Sequence, residues 1–290
     1  MKYLDPKADL TFKKIFGEHA DLLISLLNAL LPLKSDEQIE SVEYLPTELL
    51  PEQTGRKNTI VDVLCRDICG RKFCVEMQME WTKAFMQRVL FNASKLYVSG
   101  FEKGMPYASL KPVYSLNLVN DIIEPDMEEC CHNYNIVHDR DSRKIIKGLH
   151  FTFIELPKFT PKTMPERRMA VLWLRFLTEI NANTQVVPSE LLESPEISKA
   201  LGAVETSAFT DEEMRAYDKF WDIISTEKTL QEDSTQIGMA RGIERGRAEG
   251  RVEGEESKAC EIARNLLSMH LPMESIIQAT GLTAEQIRNL

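Results

Sequence analysis

The stretch IVDVLCRDICGRKFCVEMQME, Ile60 to Glu80, reads as two β-strands joined by a tight turn. Three-residue hairpin loops commonly place glycine last, in the left-handed conformation, which makes Ile68, Cys69 and Gly70 the turn. That register sets Asp67 opposite Arg71, a favourable cross-strand charge pair. Counting inward, it sets Asp62 opposite Glu76. Alternation then gives one face to Asp62, Glu76 and Gln78, and the other to Val61, Val63, Val75 and Met77. Directly opposed residues have Cβ atoms about 4.5–5.5 Å apart, so two carboxylates repel there unless a proton or a cation lies between them. Hard oxygen ligands held this close suit Mg²⁺, which takes one or two carboxylates and keeps several waters. Register decides the matter, because a slip of one residue puts the two carboxylates on opposite faces. Acidic residues alternating with apolar ones also describe the wet face of an ordinary amphipathic strand, and the pattern alone leaves both readings open.

Outward from the hairpin, DPKADLTFKKIFGEHADLLISLLNALLPL has helical periodicity. Asp9 is the expected N-cap, Gly17 the expected interruption and Pro32 the stop. Ile39 to Leu45 reads as a strand and Pro46 to Asn58 as a loop. Thr82 to Phe101 reads as a helix, with Phe85, Val89, Ala93 and Leu96 on one stripe. Lys111 to Val119 and Leu149 to Pro157 alternate as two further strands. The order is helix, three strands, helix, strand, strand. From Pro165, a proline suited to a first helical turn, the pattern is helical, with Thr229 to Gln236 read as a linker. The domain expectation is a compact unit over 1–160, a helical extension over 161–232 and a distinct tail over 233–290.

Composition narrows the class without naming it. Hydrophobic residues are 43% of the 290 and charged residues 28%, the balance of a folded globular chain. No apolar run approaches the ~20 residues a bilayer span needs, and the N-terminus lacks the apolar core of a secretion signal. Six cysteines without framework spacing point to thiols in a reducing cytoplasm. A formal charge of -10 argues against coating nucleic acid wholesale and leaves room for a local basic groove. CCHNYNIVH offers Cys130, Cys131, His132 and His138, but adjacent cysteines suit one zinc ion poorly.

Asp on one strand, Glu-x-Gln on the next (VEMQ) and then a helix resembles the PD-(D/E)XK nuclease core. DPKADLTFKKIFG, VDVLCRD…FCVEMQ and SKLYVSG…YASLKPVYSLNL together resemble its recombination-promoting nuclease and transposase branch, over roughly residues 1–160. The resemblance implies an α/β, restriction-endonuclease-like αβββαβ core with a mostly helical C-terminal region. It also implies a Mg²⁺-dependent DNA endonuclease. Carried over by position, Asp62 and Glu76 are the metal ligands, joined by a Val75 or Met77 backbone carbonyl. Gln78 stands where the catalytic lysine usually stands and orients the attacking water. Arg88 and Lys95, on the following helix, are the expected DNA-contacting cations, and one or the other restores the missing charge; the competing reading makes each an ordinary solvated residue. The alternative is a catalytically degenerate nuclease fold that binds DNA or a protein.

The tail carries Gly238, Gly242, Gly246, Gly250 and Gly254 at four-residue intervals. If helical, they form one stripe, fit for self-association by close packing; a flexible charged linker is the competing reading. IIQATGLTAEQI has the rhythm of a helix-turn-helix, with Gly281 in the turn and Thr283 as N-cap. Its second helix has Arg288 as its one basic residue, too few for DNA readout.

Overall fold

The computed structural model describes residues 2–49, 59–162 and 168–290, in two compact units, Met1–Ile224 and Ser225–Leu290. In chain order the elements are α1 (Asp9–Glu18), α2 (Ala20–Leu30), β1 (Val42–Tyr44), β2 (Glu48–Leu49), β3 (Thr59–Ile60), β4 (Val63–Asp67) and β5 (Lys72–Gln78). Then come α3 (Lys83–Val98), β6 (Val113–Val119), β7 (Cys131–His138) and β8 (Asp141–Glu155). The helices α4 (Arg168–Glu179), α5 (Ser189–Leu192), α6 (Pro195–Ala203), α7 (Asp211–Ser268), α8 (Met273–Thr280) and α9 (Ala284–Arg288) complete the chain.

Six strands form one mixed sheet in the order β1-β4-β5-β6-β8-β7. β4 and β5 are antiparallel, β5, β6 and β8 run parallel, and β7 returns antiparallel to β8. The β4–β5 ladder pairs Val63 with Val75 and Arg66 with Lys72. The turn is the expected one: Asp67 N–H bonds the Arg71 carbonyl at 3.0 Å, and Gly70 sits at φ +79°, the left-handed region. Asp67 pairs with Arg71 across that turn at 2.6 Å.

Alternation builds a layer on each face. Val63, Cys65, Phe73, Val75, Leu116 and Leu118 pack on α1, α2, α4 and α6, where Phe12, Phe16, Trp173 and Phe176 are fully buried. Leu64, Cys74 and Val113 face α3, which meets them with Ala93 and Leu96; Phe85 and Val89 meet Val119 and Phe153. The expected apolar stripe of α3 is the buried one. Val61 departs from the expected alternation. The chain bends at Asp62, and Val61 packs with Leu64 and Cys74 on the α3 side rather than with Val63.

Other expectations are corrected. Asp9 is the first helical residue, not the cap; Ala8 takes the extended cap position without a side-chain bond. Asp9 instead pairs with Lys13 one turn on, at 2.6 Å, and its charge suits the positive end of the helix dipole. Gly17 stays helical, and the break falls at His19, in extended backbone between α1 and α2. Within the expected loop at 46–58, Glu48 and Leu49 form β2, paired with β3; residues 50–58, like Pro165, lie outside the described residues. β7 and the first half of β8 add strands to the expected order.

Residues 229–236 are helical, inside α7, not a linker. They contain neither glycine nor proline, the residues that break a helix. The tail glycines are also helical, which removes the flexible-linker reading, and nothing among the described residues stands within 4 Å of where a Cβ would be added at any of the five. Alanine there therefore meets open space. In a single chain each Gly→Ala change is expected to stabilise the helix by about 1 kcal/mol, read as a raised thermal midpoint of the helical circular dichroism signal at a dilution where no self-association occurs. In the second unit, Ala263 packs with Ile276, Leu282 and Ile287. Gly281 caps α8 in the left-handed region and the Thr283 hydroxyl accepts from Gln286 N–H, as the sequence predicts.

Candidate active site

The site forms where the β4–β5 ladder opens. Its last pair is Val63 with Val75, and the next residues beyond it are Asp62, at a bend, and Glu76, still in β5. At that step the side chain takes over from the backbone: Met77 N–H donates to Asp62 Oδ2 at 2.7 Å. This contact holds the Asp62 carboxylate at the end of the ladder, half-buried.

Glu76 is only 6% exposed. It projects toward α3, whose Asn92 donates Nδ2–H to Glu76 Oε1 at 3.1 Å. Arg88 NH2 lies 3.8 Å from Glu76 Oε2 and donates to Gln78 Oε1 at 2.6 Å. The other end of the Gln78 amide donates to the Glu80 carbonyl at 2.8 Å. Arg88 also covers the Phe85 ring. Asn117, fully buried on β6, is the register partner of Glu76.

Electrostatics set the two carboxylates apart from surface ones. Burial pushes Glu76 up from the usual carboxylate range; the Asn92 hydrogen bond opposes it, the Asp62 charge adds to it, and Arg88 offsets a part. Burial also pushes Asp62 up, opposed by the Met77 N–H and by Lys13 and Arg88, with Asp9 adding to the rise. The carboxylates thus lie close enough for one to hinder ionisation of the other. The helices on both sides of the sheet, α1 through Lys13 and α3 through Arg88, send a cation toward Asp62, and Arg88 acts on Glu76 as well.

Among the described residues, no group of three or more His, Cys, Asp or Glu side chains is placed to hold a metal. The two-carboxylate arrangement asks for fewer. Two anionic oxygen donors, Glu76 buried and Asp62 half-buried, that repel one another and have Arg88 at 3.8 Å from Glu76, suit a hard divalent ion of the Mg²⁺ type, which fills its remaining positions with water and substrate oxygens. The residues present fit that ion.

Of the residues singled out in the sequence, Asp62, Glu76, Gln78 and Arg88 come together. Lys95, two turns along α3 from Arg88, lies over the Phe91 ring. The CCHNYNIVH residues diverge: His132 Nε2 meets Glu155 Oε1 at 2.9 Å, Cys131 packs toward the other face, and His138 sits far along the hairpin. The six cysteines form no disulfide. Sequence reading missed Asn92 and Lys13. Asn92 had a signal, being a polar residue on the buried stripe of α3, three residues after Val89 and four before Leu96.

No curated protein and no solved structure matches the chain. A family model described as PD-(D/E)XK nuclease family transposase matches residues 6–229. That span includes the whole sheet, α1 to α6 and all four of the assembled site residues, so the chain belongs to the PD-(D/E)XK nuclease family transposases.

Proposed function

We propose that the chain is a Mg²⁺-dependent DNA endonuclease acting in recombination or on mobile elements, with Asp62 and Glu76 as metal ligands. The observation that carries this reading is the mutually repelling pair of buried Glu76 and half-buried Asp62 at the open end of the β4–β5 ladder. Asp62, fixed by Met77 N–H, and Glu76, fixed by Asn92, hold the ion, with a backbone carbonyl of Val75 or Met77 as a third donor. A divalent ion held there supplies a Lewis acid for a phosphate oxygen and lowers the pKa of bound water. The Gln78 amide, oriented by Arg88, positions the attacking water, and the Arg88 guanidinium gives the positive charge that a lysine at this position would have given. Lys95 contacts the DNA backbone beyond the site. The same reading places the chain in the cytoplasm, where thiols stay reduced. No helix among the described residues is long and apolar enough to cross a membrane.

The reading is tested by nicking of supercoiled plasmid in Mg²⁺ and in chelator. Nicking in Mg²⁺ alone is expected; none in either condition sinks the enzyme reading. The same assay measures the effect of the missing lysine. Charge-assisted hydrogen bonds are worth ~1.5–3 kcal/mol against ~0.5–1.5 for neutral ones. With Arg88 already supplying that charge, Gln78→Lys is expected to bring no gain in rate, whereas Arg88→Gln is expected to lower it about tenfold; a tenfold gain from Gln78→Lys would show that Arg88 does not fill the role.

A second reading, a degenerate fold that binds DNA or protein without cutting, has one observation in its favour: both ends of the Gln78 amide are already bonded, to Arg88 and to the Glu80 carbonyl. Inactive wild-type protein that still binds duplex would select it. The glycine stripe of α7, open along its length, is the surface through which the chain self-associates. Deleting 238–290 is then expected to change the sedimentation coefficient beyond the lost mass, and an unchanged oligomeric state rules it out.

A further inference from the structure

Beyond the base of the sheet, β7 and β8 continue as a two-stranded ribbon that no other strand joins among the described residues. Its register pairs Ile136 with Ile146 and Val137 with Ile145, and closes at His138 and Asp141. Cross-strand β-branched pairs of this kind hold a ribbon together even in water, which accounts for four exposed apolar side chains. The register breaks between Asn135 and Ile136 and again between Val137 and His138. Both breaks put the extra residues on β8, and these include Lys144 and Lys147. Bulges re-aim side chains, so the irregularities fall where the basic residues are.

The ribbon is anchored rather than loose. A Cβ on Gly148 would stand 3.2 Å from the Tyr97 ring of α3, so glycine lets the ribbon base dock there without displacing that ring. His150 stacks on Tyr114 at 4.6 Å and bonds Asn135 at 2.7 Å. Charge is the second feature. Residues 138–147 carry four basic and two acidic side chains, apart from His138, in a chain of net charge -10. Arg143 is paired with Asp141. Arg140, Lys144 and Lys147 are exposed and meet no carboxylate at ion-pair distance among the described residues.

The basic residues continue from the site. Arg88 touches Gln78, Lys95 lies two turns farther along α3, Tyr97 meets Gly148, and Lys147 and Lys144 follow on the ribbon. Lys144 is nine residues from Phe153, the β8 neighbour of the Glu76–Asn117 row. Because the bulges add residues to β8 alone, the span is counted along β7, from Val137 opposite Ile145 to His132 opposite Phe153; five residues at 3.2–3.4 Å each make about 17 Å, the rise of roughly five base pairs of duplex.

We propose that the β7–β8 ribbon is an arm that grips the phosphate backbone of duplex DNA at a distance from the cleavage site, through Arg140, Lys144 and Lys147. The proposal rests on the nuclease reading for the identity of the polyanion. It assigns a sequence-independent role, since phosphate contacts position a duplex and do not read it. Charged residues on a free strand edge also discourage strand addition; that role is met by either sign of charge, whereas the grip requires positive charge.

The test is fluorescence anisotropy of a labelled duplex of about 30 base pairs, longer than the span from site to arm. It uses the full chain with Glu76→Gln to prevent cutting, with and without Arg140→Glu, Lys144→Glu and Lys147→Glu together. The reversed arm is expected to bind at least about tenfold more weakly at 0.1 M salt, with a log Kd against log salt slope shallower by about 2–3. Changing the same three positions to glutamine gives a smaller loss in the same direction. Unchanged affinity and slope overturn the arm while leaving the nuclease reading intact. A sedimentation change with DNA binding unaltered also overturns it, in favour of a ribbon that pairs with a second copy. Wild-type protein that neither binds nor cuts duplex brings down both.

Discussion

Asp62→Asn and Glu76→Gln are expected to abolish nicking and to make the metal-free protein more stable. Each replacement keeps size and an acceptor oxygen: a side-chain amide at position 62 still receives the Met77 N–H, and one at position 76 still receives the Asn92 amide. Each removes one of two charges that burial disfavours and that repel one another. The loss in rate is at least about 10²–10³-fold, the scale seen when one preorganised electrostatic group is removed from a site. The gain in stability is modest, about 2 °C in Tm for each kcal/mol in a chain of this size. The opposite signs distinguish a functional pair from a structural one, because replacing a residue that holds the fold together lowers activity and Tm together. Cleavage assays and thermal melts on the same protein read both.

The second large effect is a pH-dependent stabilisation by metal. The folded-state pKa values of Asp62 and Glu76 are raised, so the folded chain holds their protons to higher pH than the unfolded chain does. Stability from these groups is fully present below the ordinary carboxylate range near 4. It is lost as pH rises from there through the raised values, because the unfolded state ionises first. At pH 8 both groups are driven to ionise in place, and a divalent cation relieves their repulsion. At pH 5 protons compete for the same oxygens. Mg²⁺ or Mn²⁺ is therefore expected to raise Tm more at pH 8 than at pH 5, by a stabilisation of about 2.7 kcal/mol when the ion is at a hundred times its Kd. The Glu76→Gln variant is expected to lose most of that shift. Equal shifts at both pH values would place the ion elsewhere.

The site was legible because hairpin chemistry is local. Gly70 fixes the turn, the turn fixes the register, and the register brings Asp62 to the Glu76 row. The stripe Phe85, Val89, Ala93 and Leu96 likewise marks the buried face of α3 from spacing alone. The misses have equally specific causes. Alternation extended through Asp62 gives the wrong side for Val61, because the chain bends where a side chain replaces a ladder hydrogen bond. β7 and the ribbon escape notice because period-two patterning reports a buried face, and residues 136–147 lack one. Lys13 stands 49 residues before Asp62, and only the packing of α1 beneath β4 brings its charge to bear on that carboxylate. α7 reads as interrupted at 229–236 because polarity resembles a linker, although those residues lack the breakers that end a helix.

The most direct measurement is a calorimetric titration of Mn²⁺, as a stand-in for Mg²⁺, into metal-free full-length protein at pH 8, repeated with Asp62→Asn and with Glu76→Gln. The expected result is one tight site in the wild type that weakens about tenfold or more in each variant, as when a ligand or its support is lost. Binding of the same strength in all three proteins would mean that Asp62 and Glu76 face each other for a reason other than holding a cation.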